Sequence, residues 1–318
     1  MAGKNQRGKQ LFIIGNGFDR AHGLSTSYQD FYQYLSREEA MNEERDLLRF
    51  LIEHIYDSNE NHNEIWSNFE ELLGYVDFES DIELTSEYMI DRLNDDADKD
   101  ADYYDYQASQ ELQWKQILAE SLPTIFARWI SSIDLTDIEV KENFKRIIHE
   151  KDEFLTFNYT HTLEEIYDVC MPCHIHGTID DDGEENNIMV GHGMDDLESY
   201  SYEEGGRNPL GDLSSIDDIE ECMNRARSMH NDWRKDVTGN LFKHQWFFPG
   251  LHNIKTVYSY GFSYGSVDMP YIRAIIRNLQ EVEKVQWLLE NYNEADNEVF
   301  ASRIREAGFN GDIGRFSV

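Results

Sequence analysis

The chain is short of cysteine, short of basic residues and without a long apolar run, and each shortage removes a class of explanation. Three cysteines in 318 residues cannot build a disulfide framework, which fits a reducing compartment. Cys170 and Cys173 have C-x-x-C spacing and precede His174 and His176, but no second C-x-x-C or H-x-x-x-H completes a zinc cluster, so no metal is expected. Lys and Arg number 28 against 63 Asp and Glu, a formal charge of -35, which repels a polyanion at long range. The basic residues are scattered, the densest group being "MAGKNQRGKQ", so nucleic acid is disfavoured as a partner and a nuclease as an activity. No run of about eighteen apolar residues and no hydrophobic N-terminal region occur, so neither membrane spanning nor secretion is expected. The expected location is the cytoplasm.

What remains is a globular composition with 40% hydrophobic and 13% aromatic residues, enough for a sizeable, ring-rich core. "QLFIIG", residues 10–15, reads as a strand buried on both faces and closed by glycine. Helical signals follow: Ser25, Thr26 and Ser27 are candidate N-caps before "YQDFYQYL", and Leu47, Leu48, Leu51, Ile52 and Ile55 recur at helical spacing. "WSNFEELLGYV" and "YYDYQASQELQWKQILAESLPTIFARWISSI" continue the pattern, with an interruption expected at Pro123. The acidic "DRLNDDADKDADYYDYQ" reads as a solvated loop or helix end, and its tyrosines, with no basic residues between them, do not form a base-stacking platform. Strands resume at "EFLTFNYT", "CHIHG", "NIMVGHG" and "KTVYSYGFS", followed by the helix "MPYIRAIIRNLQEVE" and a last strand "KVQWLL". This alternation predicts an α/β fold with a mostly parallel sheet. The first strand joins it from far away in sequence. Residues 24–150 are therefore expected to be a helical insertion in a single α/β domain of residues 1–318, with residues 196–250 a second helical insertion or lid.

In open α/β sheets ligands sit at the carboxyl ends of strands. Gly15, Asn16, Gly17, Phe18 and Asp19 follow the first strand; Thr156 ends the second, before Asn158, Tyr159 and Thr160. His176-Gly177 follows the third, and Gly261, Phe262, Ser263 and, shortly after, Asp268 follow "VYSY". Each has a plain structural alternative: a tight turn for the glycines, a helix cap for Asn158 or Asp268, a hydrogen-bonded core position for His176. Together they suit a nucleotide, because a glycine turn opening a helix presents N–H groups to a pyrophosphate. A histidine beside an asparagine suits positioning a ribose and a water at its anomeric carbon. Glu70, His22 and His192 are further polar candidates, while Trp66, Phe69 and Leu73 at helical spacing read as core.

"IIGNGFDRAHGLSTSYQDF", "WSNFEELL", "FLTFNYTHTLE", "HIHG" and "YSYGFSYGSVDMPYI" resemble, in order, the successive motifs of the AbiH family, bacterial phage abortive-infection proteins. The likeness runs from about residue 10 to about residue 290 and implies a role in phage defence. The same motifs are similar, more distantly, to the sirtuin-like NAD-binding fold of bacterial defence NADases. Gly15, Gly17 and Gly23 fall on its glycine turn, Thr156, Asn158 and Tyr159 on its T-x-N-Y-D, His176-Gly177 on its H-G, and Gly261, Ser263 and Asp268 on its G-[FY]-S with a later acid. That resemblance implies a sirtuin-like Rossmannoid sheet, NAD as substrate or ligand with no further cofactor, Asn158 orienting water or ribose, and His176 as base. Departures are Asn16 for a small residue, Asp19 for a serine and Thr160 for the Asp of N-Y-D. Three cysteines cannot supply the four-cysteine zinc module of sirtuin deacetylases. Expected partners are a small-molecule nucleotide, a phage-derived trigger or host protein, and further copies of the chain. The alternative is a non-catalytic nucleotide sensor whose helical insertions engage a phage or host protein.

Overall fold

A computed structural model of the chain describes residues 8–55, 69–76, 101–179, 185–194, 216–291 and 293–318. Trp66 and residues 196–215 of the expected second insertion lie outside the described residues. The chain divides into two compact units, one of Met1–Asp30, Ala127–Met189 and Asp236–Val318, the other of Phe31–Phe126 and Val190–Lys235. Residues 24–30, 127–150 and 236–250 thus belong with the first unit, so each helical interruption of that unit is shorter than its composition suggests.

The first unit holds the sheet. Its strands in chain order are β1 (Lys9–Ile14), β2 (Glu153–Thr156), β3 (Cys173–His174), the short β4 (Thr178–Ile179) and β5 (Glu185–Asn186), then β6 (Ile254–Tyr260), β7 (Gln286–Glu290) and β8 (Asp312–Phe316). β4 and β5 pair with each other as an antiparallel hairpin. The other six form one parallel sheet in the order β3-β2-β1-β6-β7-β8. This is the Rossmann-type arrangement, in which strand order reverses at the centre, between β1 and β6.

β1 is central because its last four residues are apolar: Leu11, Phe12, Ile13 and Ile14 are fully buried, which a strand covered on both faces allows. Phe12 pairs in register with Phe154 and Tyr258, and its ring stacks on theirs at centroid distances of 5.0 and 4.9 Å. Leu11 and Ile13 point to the opposite face, packing with Leu155, Val257 and the helix Met269–Asn278. Asp152 sets the register at the strand entrance: its carboxylate accepts from Gln10 N, Gln10 Nε2 and His149 N.

Two strand expectations are corrected. "NIMVGHG" is not a strand, because Asn187 and Gly191 have φ of 56° and 156°, which break an extended run; only an isolated bridge from His192 to Arg234 remains. "KVQWLL" forms β7 but is not last, since the helix Glu294–Glu306 and β8 follow. β8 lies at the sheet edge with no fully buried position, so "DIGRF" carries no apolar signature.

The second unit is helical among the described residues, with Asn42–Ile55, Phe69–Leu73, Ile216–Asp232 and most of Ala101–Ser131. Phe31 meets Phe69 and Phe126 edge-on at 5.9 and 5.3 Å. The interruption expected at Pro123 does not occur: the helix Ala101–Ser131 runs through it. A proline strips the hydrogen bond from the carbonyl four residues earlier, that of Ala119. Trp233 Nε1 donates to Ala119 O at 2.9 Å and so replaces the missing partner from outside the helix. Among the described residues, no helix is long and apolar enough to cross a membrane.

Trp233→Phe should therefore destabilise the protein by about 1–3 kcal/mol in urea unfolding, since it leaves a buried carbonyl unpaired. Restoring the backbone donor with Pro123→Ala should recover a good part of that loss. Additive effects of the two substitutions would contradict the pairing.

Candidate functional site

Glycine closes the sheet at the reversal point. Gly15 N donates to Tyr260 O at 3.0 Å and Gly17 N to Gly261 O at 2.9 Å, so the turn after β1 is sewn to the end of β6. A Cβ on Gly15 would lie 2.6 Å from Gly261 O, one on Gly17 2.7 Å from Gly261 Cα, and Gly261 itself has φ +65° and no room for a side chain. These glycines are required by backbone approach within the chain. The same bonds bear on the phosphate question. The N–H groups of Gly15 and Gly17, and that of Phe18, which donates to Gly15 O at 2.9 Å, are spent inside the fold. The helix they open, Asn16–Ala21, is a short one of six residues. Asn16 clamps its own loop, donating from Nδ2 to Thr26 O at 2.9 Å and accepting from Thr26 Oγ1 at 2.6 Å. The Phe18 ring belongs to the core, edge-on to Tyr260 and packed on Phe144.

Asp19, on the same short helix, turns inward and is almost wholly buried. Its Oδ2 accepts from Thr160 Oγ1 at 2.5 Å, Thr160 Oγ1 lies 3.0 Å from Thr162 Oγ1, and Asp19 Oδ1 has no hydrogen-bond partner among the described residues. Burial pushes the Asp19 carboxyl up to about 6, against the opposite pull of Thr160, Thr162 and Asn158. The two departures noted in the sequence, an acid at Asp19 and a hydroxyl at Thr160, thus touch each other.

Asn158 follows β2 at 5% exposure. Its backbone is held, with N donating to Thr156 Oγ1 at 3.1 Å and O accepting from His174 Nδ1 at 2.9 Å. Its carboxamide makes no well-aligned hydrogen bond among the described residues, although it lies close enough to Asp19 to favour that carboxylate's ionised form. Leaving such a buried group without a good hydrogen bond costs about 1–3 kcal/mol. His176, 4% exposed, packs its ring against Phe157 and Tyr271 at 5.1 and 5.7 Å. Its Nε2 lies 3.3 Å from Asp268 Oδ1 without the alignment of a hydrogen bond. Asp268 stands at the N-cap of the helix Met269–Asn278 but makes no side-chain cap bond, so its carboxylate faces the histidine instead.

The structure brings Asp19, Asn158 and Thr160 together, and separately pairs His176 with Asp268; Phe157, which His176 packs against, immediately precedes Asn158. Tyr159 donates from its hydroxyl to Met189 O at 2.9 Å, and its carbonyl accepts from Thr178 Oγ1. Ser263 is exposed, with its carbonyl 3.4 Å from Arg303 Nη1. His22 is structural: Nδ1 donates to Phe18 O at 2.7 Å, Nε2 accepts from Tyr167 Oη at 2.5 Å, and burial lowers its pKa. His192 and Glu70 lie in the second unit. There His192 Nε2 donates to His230 O at 3.0 Å, and Glu70 is 2.7 Å from the ammonium of the buried Lys235. Cys173 sits within β3 with its thiol pushed up to about 12 by burial, and Cys170 is exposed, so C-x-x-C here is strand and surface. Asn240 was not foreseen. Its buried Nδ2 donates to Ile175 O and to Tyr271 Oη, fixing the strand end that carries His176, and nothing in the amphipathic "VTGNLFK" marks it.

A family model described as "Bacteriophage abortive infection AbiH" matches residues 11–291, and the chain belongs to that family. No curated protein matches the chain, and neither does any solved structure.

The Asp19 environment makes a signed prediction. Unfolded, the carboxyl releases its proton near 3.8; folded, near 6, so between those values the folded state holds a proton the unfolded state has lost, and stability falls as pH rises. Asp19→Asn removes the ionisation. It should unfold like the parent below about pH 4 and be more stable by roughly 2–3 kcal/mol at pH 7. A difference between the two proteins that does not change with pH would contradict a buried carboxyl at this position.

Proposed function

We propose that this AbiH-family chain binds a nicotinamide dinucleotide or a closely related nucleotide at the β1–β6 reversal point and hydrolyses its N-glycosidic bond as an effector of phage abortive infection. The observation that supports the proposal is the buried Asn158 carboxamide, which lies beside Asp19 and makes no well-aligned hydrogen bond among the described residues. Asp19 Oδ1 and His176 Nε2 share its lack of hydrogen bonds at the carboxyl edge of a Rossmann-order sheet, where dinucleotides bind. Each open valence matches something a ribose or a water offers: a hydroxyl to donate or a lone pair to accept.

In the reaction, water adds to the anomeric carbon, the bond to the pyridinium nitrogen breaks, and neutral nicotinamide leaves with the bonding pair. The proton shed by water needs a base. His176 fills that role, held against Asp268 at 3.3 Å, and Asn158 orients the ribose or the attacking water. With the amides of Gly15, Gly17 and Phe18 already bonded, the glycine turn contributes close approach, and side chains supply the polar contacts. Burial raises the Asp19 carboxyl only to about 6, so it is mostly ionised at neutral pH and suits accepting from a ribose hydroxyl rather than facing a phosphate. The substrate is the only small molecule this reading requires. The partners that fit this reading are a phage-derived trigger or a host protein in the cytoplasm, with further copies of the chain an added expectation.

Purified protein given NAD, with and without lysate from infected cells, should release nicotinamide. Asn158→Ala and His176→Ala should each lower turnover by about 100-fold or more. Asn158→Ala should leave the fold intact, so that its loss of turnover reports on the site. NAD bound without cleavage under every trigger, with Asn158→Ala still protecting cells from phage, would overturn hydrolysis in favour of a sensor.

A further inference from the structure

His161, Glu164 and His174 form a second polar cluster in the first unit, beside the proposed catalytic residues but distinct from them. His161 occupies the N-cap position of the helix Thr162–Tyr167 without a side-chain cap bond, and Glu164 lies three residues on, on the same side. His174 comes from β3. One donor atom from each residue lies within 4.8 Å of the other two.

Hydrogen-bond direction shows why this cluster favours a positive charge. Asn158 O can only accept, so His174 Nδ1, 2.9 Å away, must be the donor. In the neutral ring His174 Nε2 then carries a lone pair, yet it faces Glu164 Oε1 at 2.8 Å, another acceptor. Two lone pairs at that distance repel unless a positive charge lies with them, either a proton or a metal ion. The other oxygen, Glu164 Oε2, is buried and has no hydrogen-bond partner among the described residues, so the carboxylate has a lone pair to spare. The rings are steadied as metal-ligating histidines are, each by an oxygen outside the cluster: Asn158 O for His174, and Thr178 Oγ1 at 2.9 Å for His161. The His174 side chain is 9% exposed and that of Glu164 27%, so the cluster is shielded while an entry path remains.

We propose that His161, Glu164 and His174 bind one divalent transition-metal ion of the zinc class. Two imidazoles and one carboxylate are the donor set of three-ligand zinc sites, which keep a further position for solvent. The site ties the start of the helix Thr162–Tyr167 to β3. Through the His174 bond to Asn158 O it also fixes the loop that carries Asn158, whether or not a nucleotide binds there.

Chelator-treated full-length protein titrated with Zn2+ alone, in competition with a chromophoric chelator, should take up one tightly held ion per chain. Glu164→Gln keeps the shape and removes the charge; it and His161→Ala should each weaken that binding by about tenfold or more. Because 63 acidic residues offer weak surface sites, Glu165→Gln, at the exposed neighbouring position, serves as the control and should bind as the parent does. Co2+ should give visible d–d bands in the parent that are lost in Glu164→Gln. Absence of a tight ion, or tight binding undiminished in Glu164→Gln and His161→Ala, would overturn the proposal. Nicotinamide release plays no part in these readings, so the metal proposal and the glycohydrolase proposal fail separately.

Discussion

The fold depends on one close contact, the backbone of the β1 turn laid directly on the backbone at the end of β6. Gly15 and Gly17 approach Gly261 so closely that a single added carbon on any of the three would meet main-chain atoms at 2.7 Å or less. This contact joins the two halves of the sheet at the place where strand order reverses. It also puts the strand ends carrying Asp19 and Asn158 along one edge. In many dinucleotide-binding proteins glycine at this turn makes room for the ligand's phosphates. In this chain the room is filled by the chain itself.

That constraint moves the chemistry from backbone to side chains. With the amides of Gly15, Gly17 and Phe18 bonded, side-chain atoms left without a well-aligned hydrogen bond among the described residues include Asp19 Oδ1, the Asn158 carboxamide and His176 Nε2. Burying polar atoms in this state opposes folding, and the aromatic core sustains the cost: Phe12 stacked between Phe154 and Tyr258, and Phe157 against Phe262 with ring centroids 4.3 Å apart. Asp19 and Thr160 show how the site tolerates an acid. The hydroxyl takes one carboxylate oxygen and burial raises the other's affinity for a proton.

Much of this was legible in the sequence where a single pattern carried the information. The apolar run "LFII" gave away the central strand, the strand ends gave the residues along the sheet edge, and the ordered motifs gave the family. Ser27 was among the foreseen caps, and it does cap the helix Tyr28–Leu35, with Asp30 returning the bond to Ser27 N. What stayed hidden depends on partners distant in sequence. Pro123 looks like a break until Trp233 supplies a donor, β8 has an unremarkable composition because it is an edge, and Asn240 is one polar residue on an amphipathic helix. His161 and Glu164 stand in "FLTFNYTHTLE" with no spacing that links them to His174, whose C-x-x-C context points to Cys170 and Cys173 instead.

The central claim is that the unpaired groups at this edge receive a ribose. The most direct measurement is an experimental structure of the protein with ADP-ribose. The account predicts a ribose hydroxyl or its bridging water within hydrogen-bond distance of the Asn158 carboxamide and of His176 Nε2. Ligand bound elsewhere, with Asn158 and His176 unchanged and unpaired, would contradict it.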